Sequence, residues 1–431
     1  MLLALYNVMM RASTPLLGAY LKKREKLGKE DPARAAERRG QAALSRPPGP
    51  LVWFHAASVG ESLSLLALIH AVLAIDPGIR VLVTTGTVTS ARLMAERLPG
   101  RAFHQYVPVD HPVWVARFLD HWKPDLALWA ESEFWPNLLS AMRQRAIPSV
   151  LLNARMSRES FRNWRYVRGV IGGILSTFRL CLAQNAAEAE RLQQLGAADV
   201  RVSSNLKYAA AHLPYDAAKL AQLQHDMASR PCVLWVSTHA GEEEMARDTH
   251  RALCAKYPDL LTIVVPRHPA RGADIAQMVS TAGVAVARRS LDETVTSVTG
   301  IYIADTMGEL GLFFRACNSV VMGGSFADVG GHNPIEPAQL GCVIFFGPMT
   351  YNFLTIMEDF RKAGAVVDVA DKEDLLKKLQ DHLADPALYA PVGMAAARMT
   401  AEKSMVVSEV MDALQPFLAA AMVPAEKKVA S

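Results

Sequence analysis

Cysteine is scarce in this chain: Cys181, Cys232, Cys254, Cys317 and Cys342 are the five among 431 residues. They are odd in number, widely spaced and without a C-x-x-C pair, so they supply neither a disulfide framework nor a zinc site. They read as buried thiols in a reducing compartment. Excess charge is equally lacking. With 46 Lys and Arg against 42 Asp and Glu, the net charge of +4 makes no case for a nucleic-acid partner. Also missing are the G-x-G-x-x-G and G-K-[ST] nucleotide loops and any D-x-D-like metal pair. No internal repeat or low-complexity tract breaks the chain.

What is present is apolar: 51% hydrophobic and 20% charged residues describe a globular chain with a sizeable core. Its length predicts two domains, or three. Met1 to Met10 is almost wholly apolar, Arg11 and Pro15 interrupt, and a basic cluster runs from Lys22 to Arg39. No charge precedes the apolar run and no cleavage site follows it, so it is no signal peptide. A bilayer span takes about 20 apolar residues, and Arg11 near its centre would cost ~2.5–3.5 kcal/mol. Residues 1–45 therefore read as a membrane-associated helix and basic segment, monotopic or weakly inserted, held by anionic lipid. The alternative is a helix packed on the protein's own body. Arg46-Pro-Pro-Gly-Pro50 cannot continue a helix and reads as a linker.

Beyond it, strand and helix patterns alternate. Leu51–Phe54, Val81–Thr85, Leu126–Trp129, Ser149–Leu152 and Leu180–Ala183 are short apolar runs separated by amphipathic stretches. The pattern breaks over 203–215 and resumes with Cys232–Val236, Leu261–Val265, Ser319–Met322 and Val343–Phe346. Such alternation predicts α/β architecture: two doubly wound, Rossmann-like domains, 46–208 and 209–420, hinged near 205–216. Ligands of such folds face the carboxyl ends of the strands, here in a cleft between the domains. The tail after Pro424 reads as frayed.

Candidate chemistry gathers at strand ends. In Phe54-His-Ala-Ala-Ser-Val-Gly-Glu61 a strand meets a turn and a helix start, where α/β enzymes place ligands and catalytic groups. The same spacing makes Ser58 and Glu61 a capping box, and pattern alone favours that structural reading. Glu131 and Glu133 end another strand, where carboxylates are costly unless solvated or used. Lys207 lies at the hinge. Pro266-Arg267-His268-Pro269 places cations at a strand end, suited to a phosphate or to a solvated loop. Met307-Gly308-Glu309 has helix-start character. In Gly330-Gly-His-Asn-Pro-Ile-Glu-Pro337, Pro334 suits a first helical turn capped by Asn333, and glycines let backbone amides approach a phosphate. Glu336 could accept from sugar hydroxyls or simply complement the helix dipole. Arg155, Arg158, Arg162, Arg165 and Arg168 share one helical face, either solvated or facing an anionic surface or a phosphorylated acceptor.

His55–Glu61, Glu131–Asn137, Asn153–Ser157, Asn205–Tyr208, Pro266–Pro269, Asp305–Glu309 and Gly330–Pro337 follow one another in an order that closely resembles the bacterial 3-deoxy-D-manno-octulosonic acid (Kdo) transferases. The resemblance runs from the N-terminal segment to about residue 400 and implies the two-domain GT-B glycosyltransferase fold. It implies CMP-Kdo as donor substrate, with no cofactor and no metal, and lipid IVA, the lipid A precursor, as acceptor. It implies direct displacement with inversion, in lipopolysaccharide inner-core synthesis on the cytoplasmic side of the inner membrane. Glu61 matches the family's general base, and Glu131 and Lys207 match positions assigned to transition-state stabilisation. Pro266, Arg267 and His268, Met307, Gly308 and Glu309, and Asn333, Pro334, Ile335 and Glu336 match the CMP-binding segments. The competing readings are another GT-B enzyme, a UDP-sugar transferase or epimerase, and a catalytically inactive membrane-bound binding protein.

Overall fold

The computed structural model describes residues 2–423; the tail read as frayed lies outside the described residues. The chain divides into two compact units, one running to Ala210 and rejoined from Lys403 onward, the other spanning Ala211–Glu402. Each is built on a seven-stranded sheet in which every pairing is parallel.

The first sheet comprises β1 (Leu51–His55), β2 (Arg80–Thr85), β3 (Ala102–Tyr106), β4 (Leu126–Ala130), β5 (Ser149–Ala154), β6 (Leu180–Ala183) and β7 (Val200–Val202), ordered β3-β2-β1-β4-β5-β6-β7. The order reverses beside β1, so the loops after β1 and β4 open a crevice at the carboxyl ends of the strands. Every residue of β1, β4 and β5 is buried, because helices cover both faces. One face holds Trp53, Phe118, Trp122 and Trp129. Their polar edges are satisfied where the structure buries them: the Trp53 indole donates to Thr84 Oγ1 at 2.8 Å and Trp122 to Gln105 Oε1 at 2.8 Å.

On the opposite face, Val52, Phe54 and Leu128 pack with Leu65, Leu68 and Val72 of the helix Val59–Ile75. The helix Val406–Met422 joins them through Val406, Val410, Leu414 and Leu418, a stripe at four-residue spacing. Its return to the first unit departs from the expectation that the second domain continues to residue 420. Leu414 is fully buried, and Leu414→Ala is expected to lower the stability of the first unit by ~2–5 kcal/mol in urea unfolding. An unchanged midpoint would show that this helix does not complete that core.

The second sheet comprises β8 (Cys232–Thr238), β9 (Leu261–Pro266), β10 (Val286–Arg288), β11 (Ile301–Ile303), β12 (Ser319–Met322), β13 (Val343–Phe346) and β14 (Val367–Asp368), ordered β10-β11-β9-β8-β12-β13-β14. Here the order reverses beside β8, the first strand of this unit, as it does beside β1 in the first unit. Five strands were not anticipated: β3, β7, β10, β11 and β14. Four are sheet edges, and all but β3 have only two or three residues, too few to carry a periodicity signal. Cys181, Cys317 and Cys342 are buried thiols, whereas Cys232 and Cys254 are only partly covered.

The N-terminus corrects the expectation of one membrane helix. Leu2–Ala12 and Thr14–Lys26 are two helices broken at Ser13, each shorter than a bilayer span. They lie against the first unit: the Tyr6 hydroxyl donates to Asp110 Oδ2 at 3.1 Å, Thr14 meets His111 at 3.0 Å, and Leu21 is buried. Part of the basic cluster is spent internally, since Arg24 and Arg38 grip the buried Glu30 at 2.6 and 3.3 Å. Among the described residues, one helical stretch, Pro386–Met422, is long and apolar enough to cross a membrane. Its second half is the core-forming helix just described.

Candidate active site

In the first unit the candidate site forms where β1 ends. Ser58 is extended and caps the helix that follows, its Oγ accepting from the Glu61 amide at 3.3 Å. The Glu61 carboxylate folds back, accepting from the Ala57 amide and the Ser58 hydroxyl at 2.8 Å each. Ser58 is therefore a true N-cap, but the reciprocal bond of a capping box goes to the amide before the cap instead of to the Ser58 amide, and the outward carboxylate that a general base requires is not the rotamer adopted. Yet the environment is not that of an ordinary cap. Burial, and then the neighbouring Glu131 carboxylate, push Glu61 above its usual 4.5, against the Ala57 and Ser58 hydrogen bonds. Open space adjoins it, since a Cβ on Gly60 would meet no atom within 4 Å.

Glu131 directly follows β4 with a positive φ of 55°, costly for a residue with a side chain and characteristic of functional positions. Its amide donates to Leu152 O at 2.9 Å, and its Oε1 lies 3.1 Å from Lys207 Nζ. Lys207 is aimed by a chain of amides. Asn205 Oδ1 caps the Lys207 amide at 3.0 Å, Asn205 Nδ2 donates to Gln184 at 3.0 Å, and Gln184 Nε2 donates to Asn153 O at 3.0 Å. Asn153, itself at φ 51°, accepts from the Leu206 amide at 3.2 Å. The motif residues Asn153 and Asn205 thus place the lysine. The short turn Leu206–Ala209 packs against the helix carrying Glu61, so Glu61, Glu131 and Lys207 gather at the carboxyl end of the sheet.

Glu133 differs from Glu131. It accepts from the Trp135 indole at 3.1 Å, its carbonyl accepts from Trp129 at 2.8 Å, and the buried His55 stands 3.8 Å away. Against the upward push of burial, His55 and Trp135 hold Glu133 below the usual carboxylate range. Burial pushes His55 below its usual 6.5, against the pull of Glu133. This pair braces the strand ends. Nearby, Arg158, Arg162 and Arg165 are exposed on the helix Arg158–Arg165, whereas Arg168 begins a separate helix, so the expected five-arginine face is divided.

The second unit has its own cluster at the carboxyl ends of β8, β9 and β12. Pro266 ends β9, and Arg267 and His268 follow it, both exposed. The sequence reading missed the neighbouring Thr238–Glu244 segment. The buried Glu242 carboxylate accepts from four backbone amides: His239 at 2.9 Å, Gly324 at 2.8 Å, Phe326 at 3.0 Å and Ala327 at 3.3 Å. It joins the β8 turn to the glycine loop after β12. Glu243, equally buried, accepts from Arg271 at 2.6 Å and Thr238 at 3.0 Å, bracing the turn after Arg267 and His268. Three consecutive acidic residues at a helix start resembled an ordinary favourable first turn, which concealed both roles.

The loop Gly330-Gly-His-Asn brings His332 to His239, ring nitrogens 2.8 Å apart and rings nearly parallel at 3°. One nitrogen must donate to the other, so the pair holds a proton between them. Burial, and then His239, Arg267 and His268, push His332 down to about 4. Among the described residues no group of three or more His, Cys, Asp or Glu is arranged to hold a metal. Gly331, at φ 80°, admits no side chain, because a Cβ would meet Phe346 Cζ at 2.5 Å. Beyond it, the expected helix capped by Asn333 is a single turn, Ile335–Ala338, with Pro334 as its own cap. Asn333 accepts from the Ile335 amide at 3.2 Å and reaches Glu336 at 3.4 Å. So short a helix contributes little dipole. Burial raises Glu336 despite Asn333. Met307 is exposed, Gly308 has φ 81°, and Glu309 is held by Arg289 at 2.6 Å.

Residues 33–210 match the family model described as 3-deoxy-D-manno-octulosonic-acid transferase (kdotransferase). The probable mitochondrial 3-deoxy-D-manno-octulosonic acid transferase of Arabidopsis thaliana is 33% identical over 395 residues, covering 89% of this chain and 88% of its own. The 3-deoxy-D-manno-octulosonic acid transferase of Bordetella pertussis is 33% identical over 430 residues, covering 96% of this chain and 99% of its own. Among solved structures, the UDP-GlcNAc 2-epimerase of Neisseria meningitidis superposes with a TM-score of 0.56 at 14% identity, over 86% of this chain and 100% of its own. That likeness establishes the two-unit parallel-sheet fold alone. The sequence relatives extend across both sheets, from the strand-end carboxylates of the first unit to the braced loops of the second, and on their identity and coverage the chain belongs to the 3-deoxy-D-manno-octulosonic acid transferase family.

Proposed function

We propose that this enzyme transfers Kdo from CMP-Kdo to lipid IVA, as a GT-B glycosyltransferase of lipopolysaccharide inner-core synthesis. The observation that carries the reading is the grouping of Glu61, with its raised carboxyl, beside the Glu131–Lys207 ion pair. In the reaction an acceptor hydroxyl attacks the anomeric carbon of Kdo, its new C–O bond forming as the bond to the CMP phosphate breaks. Glu61 releases Ser58 and Ala57, turns outward and takes the hydroxyl proton, while CMP departs with the bonding pair. Inversion follows from the single displacement. Lys207, oriented by Glu131, stabilises charge at the transition state, and Arg267, His268 and the glycine-loop amides hold the leaving phosphate. Segments 307–309 and 333–336 bind the remainder of CMP. Mass analysis of the product formed from CMP-Kdo and lipid IVA tests the assignment: failure to add a Kdo mass, with turnover of a UDP-sugar instead, would refute it.

Because a base works only when deprotonated, the raised carboxyl moves the acidic limb of the kcat/KM profile above the ordinary 4.5 of a glutamate. Activity is expected to rise with pH through that limb. An acid limb at or below 4.5 would contradict the assignment to Glu61.

We also place the enzyme on the cytoplasmic face of the inner membrane. Leu5, Val8 and Met9 of the first helix and Leu16 of the second are each more than half exposed, an apolar surface suited to a bilayer interface. Exposed arginines at 158, 162 and 165 suit lipid or acceptor phosphates. The Leu5→Asp/Met9→Asp double variant is expected to move the full-length protein from the membrane to the soluble fraction; an unchanged distribution would remove the role of this surface.

A further inference from the structure

We propose that Arg289 is a positioning residue for the donor, holding the turn Thr306–Gly308 in its receptive shape with the help of Arg288; this rests on the reading that segment 307–309 contacts CMP. Neither arginine belongs to a motif picked out in the sequence. They end and follow β10, an edge strand paired in register with β11, so that Arg288 lies opposite Ile303. From there the two consecutive guanidinium groups take hold of opposite ends of the next loop.

Arg288 donates to Asp305 Oδ2 from Nε and Nη2, at 3.0 and 2.8 Å. Asp305 also accepts from the Ser290 amide at 3.0 Å and its hydroxyl at 2.8 Å. Arg289 makes a two-pronged pair with Glu309, Nε to Oε2 at 2.6 Å and Nη2 to Oε1 at 2.7 Å. Its guanidinium is seated by Tyr302 OH at 3.4 Å and by the Phe313 ring, 5.5 Å from Cζ to centroid. Thr306 closes the turn by donating to Glu309 at 2.5 Å. Both ends of the loop are therefore fixed.

The middle is open. Met307 is 75% exposed, and a Cβ on Gly308 would meet nothing within 4 Å. A cavity of about 470 Å³ adjoins the turn, lined by Lys219, Arg289, Tyr302, Met307 and Glu309 among others. With space on that side instead of packed side chains, the ion pairs must supply the rigidity that packing supplies elsewhere. A preformed turn lowers the ordering cost of ligand binding, and the forked guanidinium gives an angular restraint that an ammonium cannot. The expected signature is weaker donor binding with little change in the chemical step.

The test uses the full-length enzyme, with CMP and CMP-Kdo as probes. Arg289→Met is expected to raise KM for CMP-Kdo and Kd for CMP by about tenfold or more, with kcat within about threefold. Arg289→Lys, which keeps charge but loses the fork, is expected to fall between it and the parent, and it serves alone if the methionine variant fails to fold. Hydrogen exchange at amides 306–309 separates the two readings. Protection by CMP in the parent enzyme, with unchanged affinity in either Arg289 variant, overturns the positioning role and leaves the donor reading standing. No protection by CMP in the parent overturns the donor reading for this segment, and the inference with it.

Discussion

Glu61→Gln will lower kcat by about 10²–10⁴-fold, the range by which a positioned general base accelerates proton transfer. The structure makes this a clean substitution. A glutamine at the third helical position can still accept from the Ala57 amide through its oxygen and donate to the Ser58 hydroxyl through its nitrogen, so the helix start survives. What is lost is the ability to take a proton. CMP affinity and thermal midpoint should stay near those of the parent, because Glu61 belongs to the first unit and the segments proposed to bind CMP to the second. Retained turnover would show that the folded-back rotamer is the only one used and that Glu61 is a cap. Glu61→Ala is the informative companion. It removes the proton acceptor together with the bonds from the Ala57 amide and the Ser58 hydroxyl, and should add a stability loss of about 1–3 kcal/mol that the glutamine variant does not show.

Glu242→Ala should be the most damaging change in the second unit. One carboxylate satisfies the amides of His239, Gly324, Phe326 and Ala327, and it is almost entirely buried. Removing it leaves four donors facing a cavity. Hydrogen bonds to charged groups contribute ~1.5–3 kcal/mol each but do not add fully, so a loss of about 3–5 kcal/mol is reasonable. The functional effect should be larger than that loss implies, because the glycine loop and the His239 turn would no longer be joined. CMP binding is expected to weaken by about 100-fold or more, measured by calorimetry below the unfolding transition. Near-parent CMP affinity in a folded Glu242→Ala enzyme would show that the loop holds its shape without this contact. Glu242→Gln should recover only part, since its amide nitrogen would face donors.

The alternating apolar runs were enough to predict two parallel α/β units, because strands buried on both faces must be almost continuously apolar. The same reasoning could not find β10, β11 or β14, where two or three residues carry no period. Nor could it assign the last helix. Val406, Val410, Leu414 and Leu418 announce an amphipathic helix, yet nothing in that spacing says which of two similar cores receives it. The N-terminal apolar run was ambiguous for a related reason. Composition measures affinity for an apolar environment, whether lipid or protein, and one side of this segment meets protein through Tyr6 and Leu21.

At the candidate site, the chain by itself determined Ser58 as the helix cap and the strand-end positions of Glu131, Arg267 and His268, because these depend on local spacing. The ordered motifs also identified the family. Only the tertiary structure decided that Glu61 folds back onto its cap while still bordering Glu131, and that Lys207 pairs with Glu131 across 76 positions of sequence. It alone showed that Glu242 joins two loops, that His239 meets His332, and that Arg288 and Arg289 brace a distant turn. Local spacing sets what a residue can do for its own helix or strand. Which partner it meets across the sheet depends on strand order and loop closure, and these are settled only when the whole core packs.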